Sequence, residues 1–175
     1  DNTAWLWDVH TGEQLSTMPH STEVRGAIIP NNTTFVVTWS SDNIFRGWDD
    51  YSGELLWTQS FHTDIQGMRI NEWGNLLIIW SDEAVHLWDI RERDYLKSLQ
   101  HDHSVHDAVI ENYGDRILTR TSAGNGTISR KGAAYMWDFK SGKRLFSMQH
   151  DTYINGACFS PTNTSTRTWS RDGTA

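Results

Sequence analysis

The residues best suited by type and spacing to chemistry lie in His101-Asp102-His103-Ser104-Val105-His106-Asp107, three imidazoles and two carboxylates in one short run. Imidazoles and carboxylates are common zinc ligands, so a metal site is the sharpest chemistry to weigh here. Other reactive groups are scarce. Cys158 is the only cysteine and sits between Ala157 and Phe159, where a buried inert thiol is expected. No Gly-x-Ser-x-Gly nucleophile elbow and no phosphate-binding glycine loop occurs.

Whatever these side chains do, a scaffold must hold them. Ten tryptophans in 175 residues is an excess that needs a structural cause, and 37% hydrophobic residues suffice for a sizeable core. Repetition supplies the cause. Trp-Asp occurs at Trp7-Asp8, Trp48-Asp49, Trp88-Asp89 and Trp137-Asp138, at spacings of 41, 40 and 49 residues. The first two match a blade-sized period of about 40–45 residues, and the third carries an insertion.

Other features keep phase with the dipeptide. A turn follows it at Thr11-Gly12, Ser52-Gly53 and Ser141-Gly142, with Arg91-Glu92-Arg93 as the odd member. Strands led by Leu15, Leu56, Leu96 and Leu145 come next, then His20, His62, His101 and His150. Each is followed by a strand with a small residue near its start: Gly26, Gly67, Ala108 (in Val105-His106-Asp107-Ala108) and Gly156. Convergence of blades at a ring axis is the expected reason for those glycines. The following strand ends in Thr38-Trp39-Ser40, Ile79-Trp80-Ser81, Arg120-Thr121 or Thr168-Trp169-Ser170, and a turn through Asp42, Asp82 or Asp172 leads to the next Trp-Asp. Four short β-branched or aromatic strands per period, with no helical period, predict an all-β chain of four-stranded antiparallel blades.

These residues resemble the WD40 repeat family in its bacterial form, across essentially the whole chain. The resemblance implies a β-propeller that recognises partners through its faces, usually without catalysis. It also implies a hydrogen-bonded network of His, Ser/Thr, turn Asp and Trp in each repeat. Matched by position, one set is His20, Thr38, Asp42 and Trp48, with His62, Asp82 and Trp88, then His101, Thr119 and Trp137, and finally His150, Thr168, Asp172 and Trp7. The second repeat has Ile79 in place of the threonine and a turn one residue shorter, and the third lacks the turn Asp; both blades are expected to be less well tied.

Two enzyme-like outlines fare worse. His101, His103 and His106 resemble the zinc motif of metallo-β-lactamase-type hydrolases, but Val105 stands where that motif has Asp, and His101 already has a place in the repeat. Asp49 to Trp57 resembles the tryptophan-docking repeat of quinoprotein dehydrogenases, yet Ser16, Lys97 and Phe146 occupy the Trp57 position elsewhere. No catalytic, cofactor or metal role is expected.

Asp172-Gly173-Thr174-Ala175 repeats Asp1-Asn2-Thr3-Ala4, so both ends fall at one point of the repeat. Complete blades are expected at about 23–60, 65–100 and 105–149, with a split blade from 150–175 and 1–20. A segment of a longer protein with further repeats is the favoured reading, because a cut in mid-blade exposes sheet edges. An eight-bladed ring of two copies comes second, and a four-bladed ring within one chain third.

A net charge of −7 disfavours a nucleic-acid partner. The small basic group Arg116, Arg120, Arg130 and Lys131 lies near Glu111 and Asp115. The longest apolar run, Leu76 to Trp80, is far below the ~20 residues of a spanning helix. No signal-peptide pattern opens the chain, the absent initiator Met is read as processing or cutting, and one cysteine fits a reducing, cytoplasmic setting. The expected partner is a protein or peptide, met by Ser21, Thr22, Glu23, Ser41, Thr63, Asp64, Asp102, His103, Thr152, Tyr153 and Arg171. The 122–131 insertion, with Asn125, Arg130 and Lys131, opens on the same face; a reach toward a partner and neutral drift in loop length both account for it.

Overall fold

A computed structural model describes residues 2–111, 114–122 and 131–171. Among them every regular element is a strand. Strands β3 (Val24–Ile28), β4 (Phe35–Ser40), β5 (Ile44–Asp49) and β6 (Leu55–Ser60) form one antiparallel sheet in sequence order. The second sheet holds β7 (Gly67–Ile70), β8 (Leu76–Trp80), β9 (Ala84–Asp89) and β10 (Asp94–Gln100). The third holds β11 (Val105–Ile110), β12 (Arg116–Ser122), β13 (Gly132–Asp138) and β14 (Arg144–His150). Two-stranded sheets flank these: β1 (Thr3–Trp7) with β2 (Gln14–Pro19), and β15 (Ile154–Phe159) with β16 (Thr166–Ser170).

The Asp of each Trp-Asp shapes the turn that follows it. Asp8 accepts from the amides of His10 and Thr11 at 2.8 and 2.7 Å, and Asp49 from Tyr51 and Ser52 at 3.1 and 2.7 Å. Asp89 does the same for Arg91 and Glu92, and Asp138 for Ser141. These amides hold the Asp8 and Asp49 carboxyls below the usual carboxylate range, and the Ser141 hydroxyl, followed by its amide, does the same for Asp138. The backbone then enters the left-handed region at Gly12, Gly53 and Gly142, with φ of 70°, 72° and 68°. Glycine suits that conformation. Arg93, at the matching place in the second sheet, adopts φ 57° without that freedom.

Cores form between sheets, which is why strands alternate by face. Leu77 and Ile79 join Val37 and Phe45 of the first sheet, whereas Leu76, Ile78 and Trp80 join Val105, Ile117 and Trp137 of the third. Buried on both faces, β8 reads as a continuous apolar run. Met18 packs with Val36 and Trp48 at one end, and Leu118 and Met136 with Ile154 at the other. The result is a row of sheets stacked face to face as blades, with inner strands β3, β7, β11 and β15 in neighbouring contact.

One expectation changes. The inner-strand glycines answer to a neighbouring side chain: Gly26, Gly67 and Gly156 each pair with Trp39, Trp80 or Trp169 on the next strand, and a Cβ would overlap the indole. In the third sheet Asp107 pairs with Arg120 at the same place, so both members of the pair differ together. Within this chain β1–β2 and β15–β16 are two separate two-stranded sheets, without the pairing that a four-bladed ring of one chain would need. Trp7 is 56% exposed, without the buried setting of Trp48 and Trp137.

Candidate functional site

Each blade is pinned beneath its loop rim by one threonine hydroxyl. The His20 Nδ1 lies 2.8 Å from the Met18 carbonyl, and its Nε2 lies 2.7 Å from Thr38 Oγ1. The Trp48 indole N–H donates to the same oxygen at 2.8 Å. A carbonyl only accepts, so Nδ1 carries the proton and Nε2 accepts from the hydroxyl. The third sheet repeats this with His101 to Leu99 and Thr119, at 2.9 and 2.8 Å, and Trp137 to Thr119 at 2.9 Å. His150 reaches Thr168 at 2.8 Å.

The relay works with a neutral imidazole, because a protonated Nε2 would face the hydroxyl donor-to-donor. Burial pushes His20 down and takes His101 down to about 4.

The second sheet departs from its sequence reading. In the three relays His precedes Thr by 18 residues, and the residue that far before Ile79 is Phe61. The Phe61 amide donates to the Asn43 carbonyl as the His101 amide does to Glu83. His62 is therefore one place out of register, and it is exposed. Phe61 and Ile79 replace the polar pair together, leaving the Trp88 Nε1 buried without an acceptor. His86 takes up the space, edge-on to Phe61 with centroids 4.7 Å apart.

The turn aspartates also differ from expectation. Asp42 is held by Arg46 at 2.6 Å, by the Ser40 hydroxyl at 2.6 Å and by the Ile44 amide at 3.1 Å. With His20 Nδ1 already on a carbonyl, no proton remains for the carboxylate. Asp82 stays at the rim, 3.4 Å from the Gln66 amide nitrogen. Asp172 falls outside the described residues.

Alternating strand directions bring the loops before β3, β7, β11 and β15 to one end, together with the β4–β5 and β8–β9 turns. Ser21, Glu23, Thr63, Asp102, Tyr153 and Arg171 are exposed there, whereas Thr22, His103 and Thr152 are half-buried. Ser41 and Asp64 are engaged within the chain: Arg25 donates to both, at 3.1 and 2.7 Å. Lys131 lies 3.9 Å from Asp151. Asn125 and Arg130 fall outside the described residues.

Three arginines to which the sequence assigned no structural role join blade to blade. Arg25 reaches Asp64 and the Ile65 carbonyl, Arg69 reaches Asp107 at 3.2 Å, and Arg120 reaches the Ile154 carbonyl at 2.7 Å. Arg25 and Arg69 lie on the inner strands β3 and β7, beside the glycines on which the repeat was aligned, and Arg120 lies one strand further out on β12.

Metal chemistry finds no frame in the His101 run. Both His101 nitrogens are engaged, and no group of three His, Cys, Asp or Glu side chains able to hold an ion gathers among the described residues. No helix there is long and apolar enough to cross a membrane.

No protein-family model matches the chain, and no curated protein sequence matches it. Among solved structures it is similar to hydrazine synthase of Kuenenia stuttgartiensis, with a TM-score of 0.79 at 10% identity. The likeness covers 95% of this chain and 49% of that one, so the chain spans about half its length. By fold, the chain is a β-propeller segment. At such low identity the likeness speaks to the propeller architecture and to nothing chemical. The propeller's blades are the three four-stranded sheets, with a two-stranded sheet beside each outer one.

Proposed function

We propose that this chain is a bacterial-type WD40 propeller segment that acts as a non-catalytic scaffold for a protein or peptide, within a larger signalling or effector protein. The observation that carries the reading is the His–Thr–Trp relay in its constant register, which fixes the ends of the strands bearing the rim loops. Rigid blades present Glu23, Thr63, Asp102 and Tyr153 side by side at small entropic cost on binding. Peptide-display selection on the immobilised chain tests it. Enriched peptides that lose binding to a Glu23→Ala/Asp102→Ala/Tyr153→Ala variant support the scaffold; no enrichment over an unfolded control overturns it. Deleting 122–131 tests the insertion, and undiminished capture would remove it from the binding face.

A second reading is favoured by one pair of residues. Thr168 accepts no indole in this chain, and Trp7, which holds the matching place in the repeat, is exposed. Further repeats of the same protein or a second copy would bring the two kinds of edge together. Sedimentation distinguishes them: a discrete dimer lost in Trp7→Ala supports closure between copies, and a monomer rules it out.

A further inference from the structure

Three departures from the repeat pattern meet at the junction of the first and second blades. Gly47 stands where the other repeats have Leu6, Leu87 and Met136; Trp57 replaces Ser16, Lys97 and Phe146; Arg93 replaces Gly12, Gly53 and Gly142. Gly47 and Trp57 are direct cross-strand partners, and a Cβ at 47 would overlap the indole. Glycine therefore lets the ring lie over β5.

At the next junction Lys97 reaches across to the carbonyls of Phe139 and Lys140, at 3.0 and 2.8 Å, and ties it shut. At this one a cavity of about 140 Å³ remains, bounded chiefly by Trp57, Trp88, Phe45 and Ile90, with the Asp89 carboxylate in its lining already taken up by the Arg91 and Glu92 amides. Phe45 meets the two indoles edge-on, at centroid distances of 5.9 and 5.5 Å. A second space of about 370 Å³ continues past Gln59 and Trp88 toward Phe61 and Thr63. Arg93 stands at the other end, its guanidinium 5.8 Å from the Trp57 ring centroid. Among the described residues that exposed guanidinium makes no hydrogen bond or ion pair. Its backbone holds a left-handed conformation that non-glycine residues seldom adopt outside sites that use it.

We infer that this junction is a cleft for an extended acidic peptide segment, one aromatic or branched aliphatic side chain filling the smaller cavity and a neighbouring carboxylate pairing with Arg93. The inference rests on the scaffold reading above but places the anchoring contact on the side of the propeller, from which the larger space runs up to Thr63 at the rim. A cavity near 150 Å³ with apolar walls accommodates a single ring. A guanidinium beside an indole pairs with a carboxylate through two N–H groups while its face stays on the ring. Half-buried Trp with Arg at the edge is the composition of binding hot spots.

The test uses the intact chain and two small probes, 3-phenylpropionate and its neutral amide, followed by the indole N–H resonances of Trp57 and Trp88. Both probes are expected to move those two resonances, the carboxylate binding roughly three- to fivefold tighter. Arg93→Gly, which relaxes the turn, removes the preference and keeps the amide's binding. Trp57→Lys, copying the neighbouring junction, removes both. Equal binding of the two probes, shifts confined to exposed Trp5 and Trp73, or unchanged binding in Trp57→Lys would overturn the inference. Glu23→Ala/Asp102→Ala leaves probe binding unchanged, so failure of the rim and failure of the cleft are read separately.

Discussion

The Trp39 indole fills the space beside Gly26, its partner on the neighbouring strand, and leaves no room there for a methyl group. The contact recurs at Gly67 with Trp80 and Gly156 with Trp169. Gly26→Ala is expected to lower stability by about 1–3 kcal/mol, the range for overpacking a fixed core. The chain contains its own rescue, the Asp107–Arg120 pair. Gly26→Asp with Trp39→Arg should recover more than the sum of the single changes, measured by urea denaturation in a double-mutant cycle.

Thr119 serves two partners with one oxygen. Thr119→Val keeps the shape but strands the Trp137 N–H and the His101 nitrogen, so a loss of about 2–4 kcal/mol is expected. Thr38→Val should behave alike. Thermal unfolding that scarcely differs from the parent would show that the hydroxyl is not what pins the blade.

In the second blade the change runs the other way. Ile79→Thr offers the buried Trp88 Nε1 an acceptor and is expected to stabilise by about 1 kcal/mol when combined with Phe61→His, and by less alone. Denaturant midpoints of the single and double variants measure that coupling.

Acid should weaken the fold through His101. Its folded value is depressed to about 4 from 6.5. The unfolded chain therefore takes up the proton first as pH falls, and the contribution, full above 6.5, is lost down to about 4. It amounts to on the order of 2–3 kcal/mol. His101→Phe with Thr119→Ile copies the second blade and should flatten that part of the pH–stability curve, as chemical denaturation at a series of pH values would show.

The period, the Trp-Asp turns and the apolar run of β8 were legible because their residue types recur in phase. Phe61 was not, because His62 beside it offered a decoy of the right type, and only the strand register places Phe61 before Ile79. The tie of Asp42 to Arg46 was hidden for a similar reason: a turn carboxylate is visible in sequence, but which cation reaches it depends on how β5 lies beside the turn. Trp57 was visible as a departure. Its bearing on a cleft needed the Gly47 pairing and the position of Arg93, which belong to different blades.

The three blade-to-blade arginines all point one way along the chain: Arg25 holds residues 64 and 65, Arg69 holds Asp107, and Arg120 holds Ile154. In each case the grasping side chain is synthesised before the group it grasps. A polypeptide leaving the ribosome thus always has the docking point for its next blade already in place, and assembly can follow translation without waiting for the chain to be finished.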